Sequence, residues 1–122
     1  MKIGVPTMGD RGLEETVSEH FGRAPTFTIV DMKTNEVKVL PNTSEHFGGF
    51  KLPPEILAEV GVEVMLCSGL GPRAISMFEQ FGVEVYVGVD SGGTTVGDAI
   101  SAFQAGRLTE ASDANACKMH RH

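Results

Sequence analysis

Apolar and polar positions change rhythm partway along the chain. In the first part they alternate. Ile3 and Val5 sit two apart and predict a short opening strand. Phe27 and Ile29, set among Thr26, Thr28 and Val30, predict a second strand that ends near Asp31. Val37 and Val39 predict a third, which Pro41 ends. Lys33-Thr34-Asn35 supplies a turn between the last two, which therefore read as an antiparallel hairpin. Residues 7–19 and 41–52 are polar and contain glycine, and they read as loops.

From Pro53 the apolar spacing becomes helical. Pro53-Pro54 opens a helix at positions where a missing amide costs little, with Ile56, Leu57 and Val60 on one face and Gly61 as the stop. Val62, Val64 and Leu66 follow as a strand. Pro72 opens a second helix with Ala74, Ile75, Phe78 and Phe81 toward the core, and Gly82 stops it before the strand of Val83, Val85 and Val87. The step Gly-Val-Glu-Val thus stands at both helix-to-strand junctions, Gly61–Val64 and Gly82–Val85. Thr95 and Asp98 form a capping box for a third helix, buried through Val96, Ala99, Ile100 and Phe103 and closed by Gly106. The order β-β-β-α-β-α-β-α predicts one α/β domain over residues 1–108: a mixed five-stranded sheet, antiparallel at the front and parallel at the back, covered by three helices. Residues 109–122 carry no periodic apolar pattern and read as a flexible tail.

Composition narrows the classes of function. A chain of 122 residues suits one modest core. The net charge of −6 argues against general nucleic-acid binding, and no apolar run approaches a membrane span. The first residues, MKIGVP, lead directly into a strand without a signal peptide, so a cytoplasmic location is expected. The acids are scattered, Ser68 is not in a nucleophile elbow, and no nucleophile is tied by motif to a base. A non-enzymatic role is the expectation.

Two glycine-rich loops should follow parallel strands and lead into helix N-termini, where free amides and the helix dipole favour an anion. They are CSGLGPRA (Cys67–Ala74) and VDSGGTT (Val89–Thr95). Gly69, Gly71, Gly92 and Gly93 let a ligand approach the backbone, and Arg73 adds a cation; the plainer alternative is a pair of ordinary tight turns. Arg23 could join them only through folding. The soft metal ligands are few. SEHFG occurs twice, placing His20 before the second strand and His46 beside a glycine pair, and the tail CKMHRH holds Cys117 and His120. Each has a bland counterpart: a turn histidine bonded to backbone, a histidine facing water, a polar tail. Cys67, at a strand end, reads as a small buried hydrophobe.

SEHFGRAPTFTIVD together with GVEVMLCSGLGPRAISMFEQFGVEVYVG resembles the dinitrogenase iron–molybdenum cofactor biosynthesis family across nearly all of residues 1–106. The resemblance implies a ribonuclease-H-like fold and non-enzymatic carriage of an iron–sulfur or iron–molybdenum-type cluster between donor and recipient proteins. It assigns His20 to the family's HFG step, Gly69, Gly71 and Arg73 to its glycine loop, and Cys117 and His120 to the cysteine–histidine tail of some members. His46 departs from the family pattern and is an auxiliary ligand candidate. The alternatives are a module for a small phosphate-bearing anion at the two glycine loops, and a regulatory interaction domain.

Overall fold

The computed structural model describes residues 1–42, 52–90 and 92–111. The strands are β1 (Lys2–Thr7), β2 (Thr26–Asp31), β3 (Val37–Pro41), β4 (Val62–Leu66), β5 (Glu84–Val87) and β6 (Thr109–Ala111). They form one sheet in the order β3-β2-β1-β4-β5-β6. The helices are α1 (Pro53–Glu59), α2 (Pro72–Gln80) and α3 (Val96–Gln104). The hairpin of β2 and β3 is antiparallel, β2 is antiparallel to β1, and β1, β4 and β5 are mutually parallel. The mixed α/β sheet with three helices agrees with the apolar rhythm.

Alternation along the strands divides the core into two layers. Phe27, Ile29, Met65 and Val85 face α1 and α2, where they meet Leu57, Ile75 and Phe78. Ile3, Val5, Val30 and Val64 face the other way and pack against Val96, Ala99 and Ile100 of α3. So α1 and α2 cover one face of the sheet and α3 the other. The two Gly-Val-Glu-Val junctions take the expected form: Gly61 and Gly82 have φ of 93° and 76°, a left-handed region that glycine enters without strain as it turns a helix into a strand.

The structure corrects the sequence reading in three places. A sixth strand, β6, pairs antiparallel with β5 and falls in residues assigned to the tail. Three residues are too few to show a period, and only Ala111 is buried. Phe81 is 42% exposed rather than in the core. It is the C-cap of α2, past the last full helical position, as Val60 is for α1, so neither keeps to its helix's buried stripe. The supposed loop 7–19 also holds a short extended strap. Val17 N donates to Thr94 O at 2.8 Å, Val96 N to Glu15 O at 2.9 Å, and Ser18 N to Pro6 O at 2.8 Å. The strap joins the end of β1 to the start of α3, and Val17 is buried in the α3 layer.

The strap is pinned by a buried carboxylate. Glu15, 5% exposed, accepts hydrogen bonds from Thr16 N at 2.8 Å and from the Arg11 guanidinium at 3.2 and 3.3 Å. The Arg11 contact first, and then the Thr16 amide, hold its pKa down to about 2.

Candidate functional site

Parallel strands place their carboxyl ends on one edge of a sheet, and ligands favour that edge in open α/β folds. Antiparallel β2 starts on the same edge, since Thr26 lies opposite Thr7. The segment leading into β2 therefore arrives beside the loop that follows β4. There it borders a cleft of about 790 Å³. The bend contributes Glu19, His20, Phe21, Gly22 and Arg23, the start of α1 contributes Leu52, Pro53 and Pro54, and the loop and first turns of α2 contribute Gly69, Leu70, Gly71, Arg73, Ala74 and Met77.

Of the site residues expected from sequence, His20, Arg23, Gly69, Gly71 and Arg73 share this cleft. Gly92 and Gly93 do not line it. The cause is the layering: α2 and α3 lie on opposite faces of the sheet, so the loops that feed them open on opposite faces. His46, Cys117 and His120 lie outside the described residues.

The His20 bend is anchored by its own next residue. Phe21 is 8% exposed and packs against Phe27, with ring centroids 5.3 Å apart, and edge-on to Phe78 at 5.4 Å. His20 itself is exposed. Ser18 Oγ accepts from His20 N at 3.2 Å and donates to His20 O at 2.9 Å, closing a tight turn. From the far side, Asn42 Nδ2 donates to Gly22 O at 3.3 Å and to Ala24 O at 2.9 Å. The sequence reading missed both holders. A serine two residues before a histidine is a readable local signal; nothing near Asn42 in the chain points to the bend.

The two glycine loops differ in what their backbones have left to offer. The N-terminus of α2, with Gly71 as N-cap, carries no side-chain cap and no acid in its first turn. Arg73 is exposed there. The N-terminus of α3 is filled from within: Thr95 Oγ1 accepts from Asp98 N at 3.2 Å, and Asp98 Oδ2 accepts from Thr95 N at 3.4 Å. Asp90 Oδ1 accepts from Gly92 N at 2.9 Å. Two carboxylates thus take the Gly92 and Thr95 amides of the second loop, whereas no side chain caps the helix that the first loop opens.

Cys67 follows β4 as the first residue of the first loop, with no exposed surface. Burial pushes its thiol pKa up to about 12, so it stays protonated and is a poor metal ligand. Among the described residues no group of three or more His, Cys, Asp or Glu side chains is placed to hold a metal ion. The cleft therefore offers one imidazole, two guanidinium groups and uncapped helix amides against one carboxylate, that of Glu19, a balance suited to an anion that also accepts a soft ligand.

Known proteins with this sequence pattern and fold bear on what that anion is. The family model described as dinitrogenase iron-molybdenum cofactor matches residues 1–106. An uncharacterised protein of Methanocaldococcus jannaschii, MJ0580, is 31% identical over 113 residues, covering 88% of this chain and 89% of its own. Among solved structures, the apo form of the orange protein from Desulfovibrio gigas is 30% identical with a TM-score of 0.76, over 90% of this chain and 92% of that one. A provisionally assigned NifB protein from Thermotoga is 28% identical with a TM-score of 0.70, over 89% and 91%.

Proposed function

Because the chain belongs to the dinitrogenase iron-molybdenum cofactor family, we propose that it carries a metal–sulfur cluster of the iron–sulfur or iron–molybdenum type without chemical turnover. In this reading a donor protein delivers the cluster to the cleft and a recipient protein removes it, in the cytoplasm. The observation that carries the proposal is the meeting of His20, Arg23 and the uncapped start of α2 with Arg73 on one cleft of about 790 Å³.

Each part has a physical role. Clusters with several sulfides are anions, and amides and cations that bond to sulfur offset their charge. The α2 amides and Arg73 supply that on one wall and Arg23 on the other. His20 offers one exchangeable ligand, and Phe21 ties its backbone to the core. Leu52, Pro53, Pro54, Leu70 and Met77 supply an apolar lining that strengthens these electrostatic contacts by lowering the local dielectric. A single imidazole with no thiolate among the described residues suits cargo that must leave again, since a closed set of four ligands would retain it. The antiparallel front β3-β2-β1, continued by parallel β4 and β5, supports the ribonuclease-H-like reading of the fold.

The test is anaerobic incubation of the purified protein with a synthetic iron–sulfur cluster, followed by gel filtration and iron and sulfide analysis. Retained iron with broad visible absorption, reduced in His20→Ala and in Arg73→Ala, is the expected result. The lack of a multi-ligand group among the described residues favours one other reading, a small phosphate-bearing anion at the α2 loop alone. No cluster uptake together with a raised melting temperature in phosphate would select it, because a ligand bound to the native state stabilises that state.

A further inference from the structure

The bend that presents His20 and Arg23 belongs to neither helix nor strand, so no ladder of backbone hydrogen bonds fixes its course. One long backbone hydrogen bond, from Ala24 N to Phe21 O at 3.4 Å, closes a turn over Gly22 and Arg23, and the rest of the bend's hold comes from side chains. Phe21 fixes one point, in the core. Ser18 Oγ fixes the peptide groups of His20 from the N-terminal side. The C-terminal side depends on Asn42, which follows β3. Its backbone N–H donates to Pro25 O at 2.9 Å, and Nδ2 reaches Gly22 O at 3.3 Å and Ala24 O at 2.9 Å. Gly22 and Ala24 are the residues on either side of Arg23.

We infer that Asn42 is a positioning residue of the cleft: its side-chain amide clamps the backbone on both sides of Arg23 and so sets where Arg23 and His20 meet cargo. The residue type fits the task. A primary amide has two N–H donors on one nitrogen and can serve two carbonyls at once. A carboxylate of the same shape would set negative oxygen against both carbonyls and repel them. β3 gives Asn42 a rigid mount, because its backbone N–H continues the β2–β3 pairing by one further bond. The role in cargo binding rests on the carrier reading above, whereas the clamping of the bend does not.

The experiment uses the full chain as wild type, Asn42→Ala, Asn42→Asp and Ser18→Ala. Proton–nitrogen NMR spectra of the free proteins come first. Both Asn42 variants should shift or broaden the amide signals of Gly22, Arg23 and Ala24 and leave those of Arg73 and Ala74 in place. Ser18→Ala should act instead on Glu19 and His20. A synthetic thiolate-ligated iron–sulfur cluster is then added anaerobically. Asn42→Ala should weaken its retention about tenfold in a wild-type background and have no further effect in the His20→Ala/Arg23→Ala background, the non-additivity expected of a residue that acts through others. Unmoved bend signals in Asn42→Asp, or a tenfold loss that persists in the double-variant background, would overturn the inference. A wild-type protein that takes up no cluster would refute the carrier reading, and the spectra of the free proteins would still decide whether Asn42 sets the bend.

Discussion

Two helices of this protein begin after a glycine-rich loop, and their first turns differ in chemistry. At α3 the loop and helix bring their own anions: Asp98 closes a capping box with Thr95, and Asp90 takes the Gly92 amide. At α2 there is no side-chain cap and no first-turn acid, and Arg73 brings a positive charge to the first turn instead. A helix N-terminus filled by its own carboxylate is stabilised and closed to outside anions. One left open gives up that stabilisation and remains able to bind. The open terminus faces the His20 bend, and the closed one starts on the other face of the sheet.

The largest effect should come from making α2 resemble α3. Arg73→Glu puts an acid into the first turn and removes a charge-assisted contact of roughly 1.5–3 kcal/mol. Cluster retention should fall by about a hundredfold, measured by iron content after gel filtration, with the melting temperature nearly unchanged because the side chain is exposed. An Arg73→Glu protein that retains cluster as well as wild type would mean that α2 is not the anion site.

The reverse change comes next. Asp98→Ala or Thr95→Ala opens the capping box of α3 and should cost about 1 kcal/mol of stability, read from denaturant unfolding, with cluster retention unchanged. A loss of retention at full stability would show that the second glycine loop takes part in binding after all.

Acid should loosen the strap that joins β1 to α3. The carboxylate of Glu15 is held down to about 2 from an ordinary value of 4.5 by Arg11 and the Thr16 amide. A lowered native pKa means that the folded state binds this proton less readily than the unfolded chain. The stabilisation is therefore present in full above about 4.5 and is lost as pH falls from there through about 2. Melting temperature recorded from pH 6 to pH 2 should drop more steeply for wild type than for Glu15→Gln, which already lacks the ionised clamp. Parallel curves would remove Glu15 as the pin of the strap.

The smallest effect is the most particular to the comparison. Gly71 caps α2 with φ −72° and ψ 161°, an extended backbone that any residue adopts, and a Cβ there meets nothing within 4 Å. Gly71→Ser should therefore supply the missing cap and raise stability by a few tenths of a kcal/mol, while its hydroxyl competes with cargo for the same amides. Thermal melting and cluster retention should move in opposite directions.

How much of this was readable beforehand follows from the range of each interaction. Helix starts at Pro53, Pro72 and Thr95, and the glycine turns at Gly61 and Gly82, are set by residues next to one another, and they appear in the sequence as they do in the fold. The apolar period shows which side of a helix is buried but not which face of the sheet receives it. The separation of α3 from α2, and with it the departure of Gly92 and Gly93 from the cleft, was therefore not legible. β6 is defined by its pairing with β5, and Asn42's grip on Gly22 and Ala24 by the β2–β3 hairpin. These are contacts across the chain that leave no local pattern. His20, Arg23 and Arg73 could be nominated by chemical type, and only the fold brings them together.

The most direct measurement is an amide-resolved NMR spectrum of the protein before and after anaerobic addition of a paramagnetic iron–sulfur cluster, since a nearby paramagnet broadens signals by distance alone. The account predicts loss of the Gly22, Arg23, Gly69, Gly71, Arg73 and Ala74 signals, with those of Gly93, Thr95 and Asp98 still sharp. Broadening centred on the start of α3, or spread evenly over the surface, would contradict it.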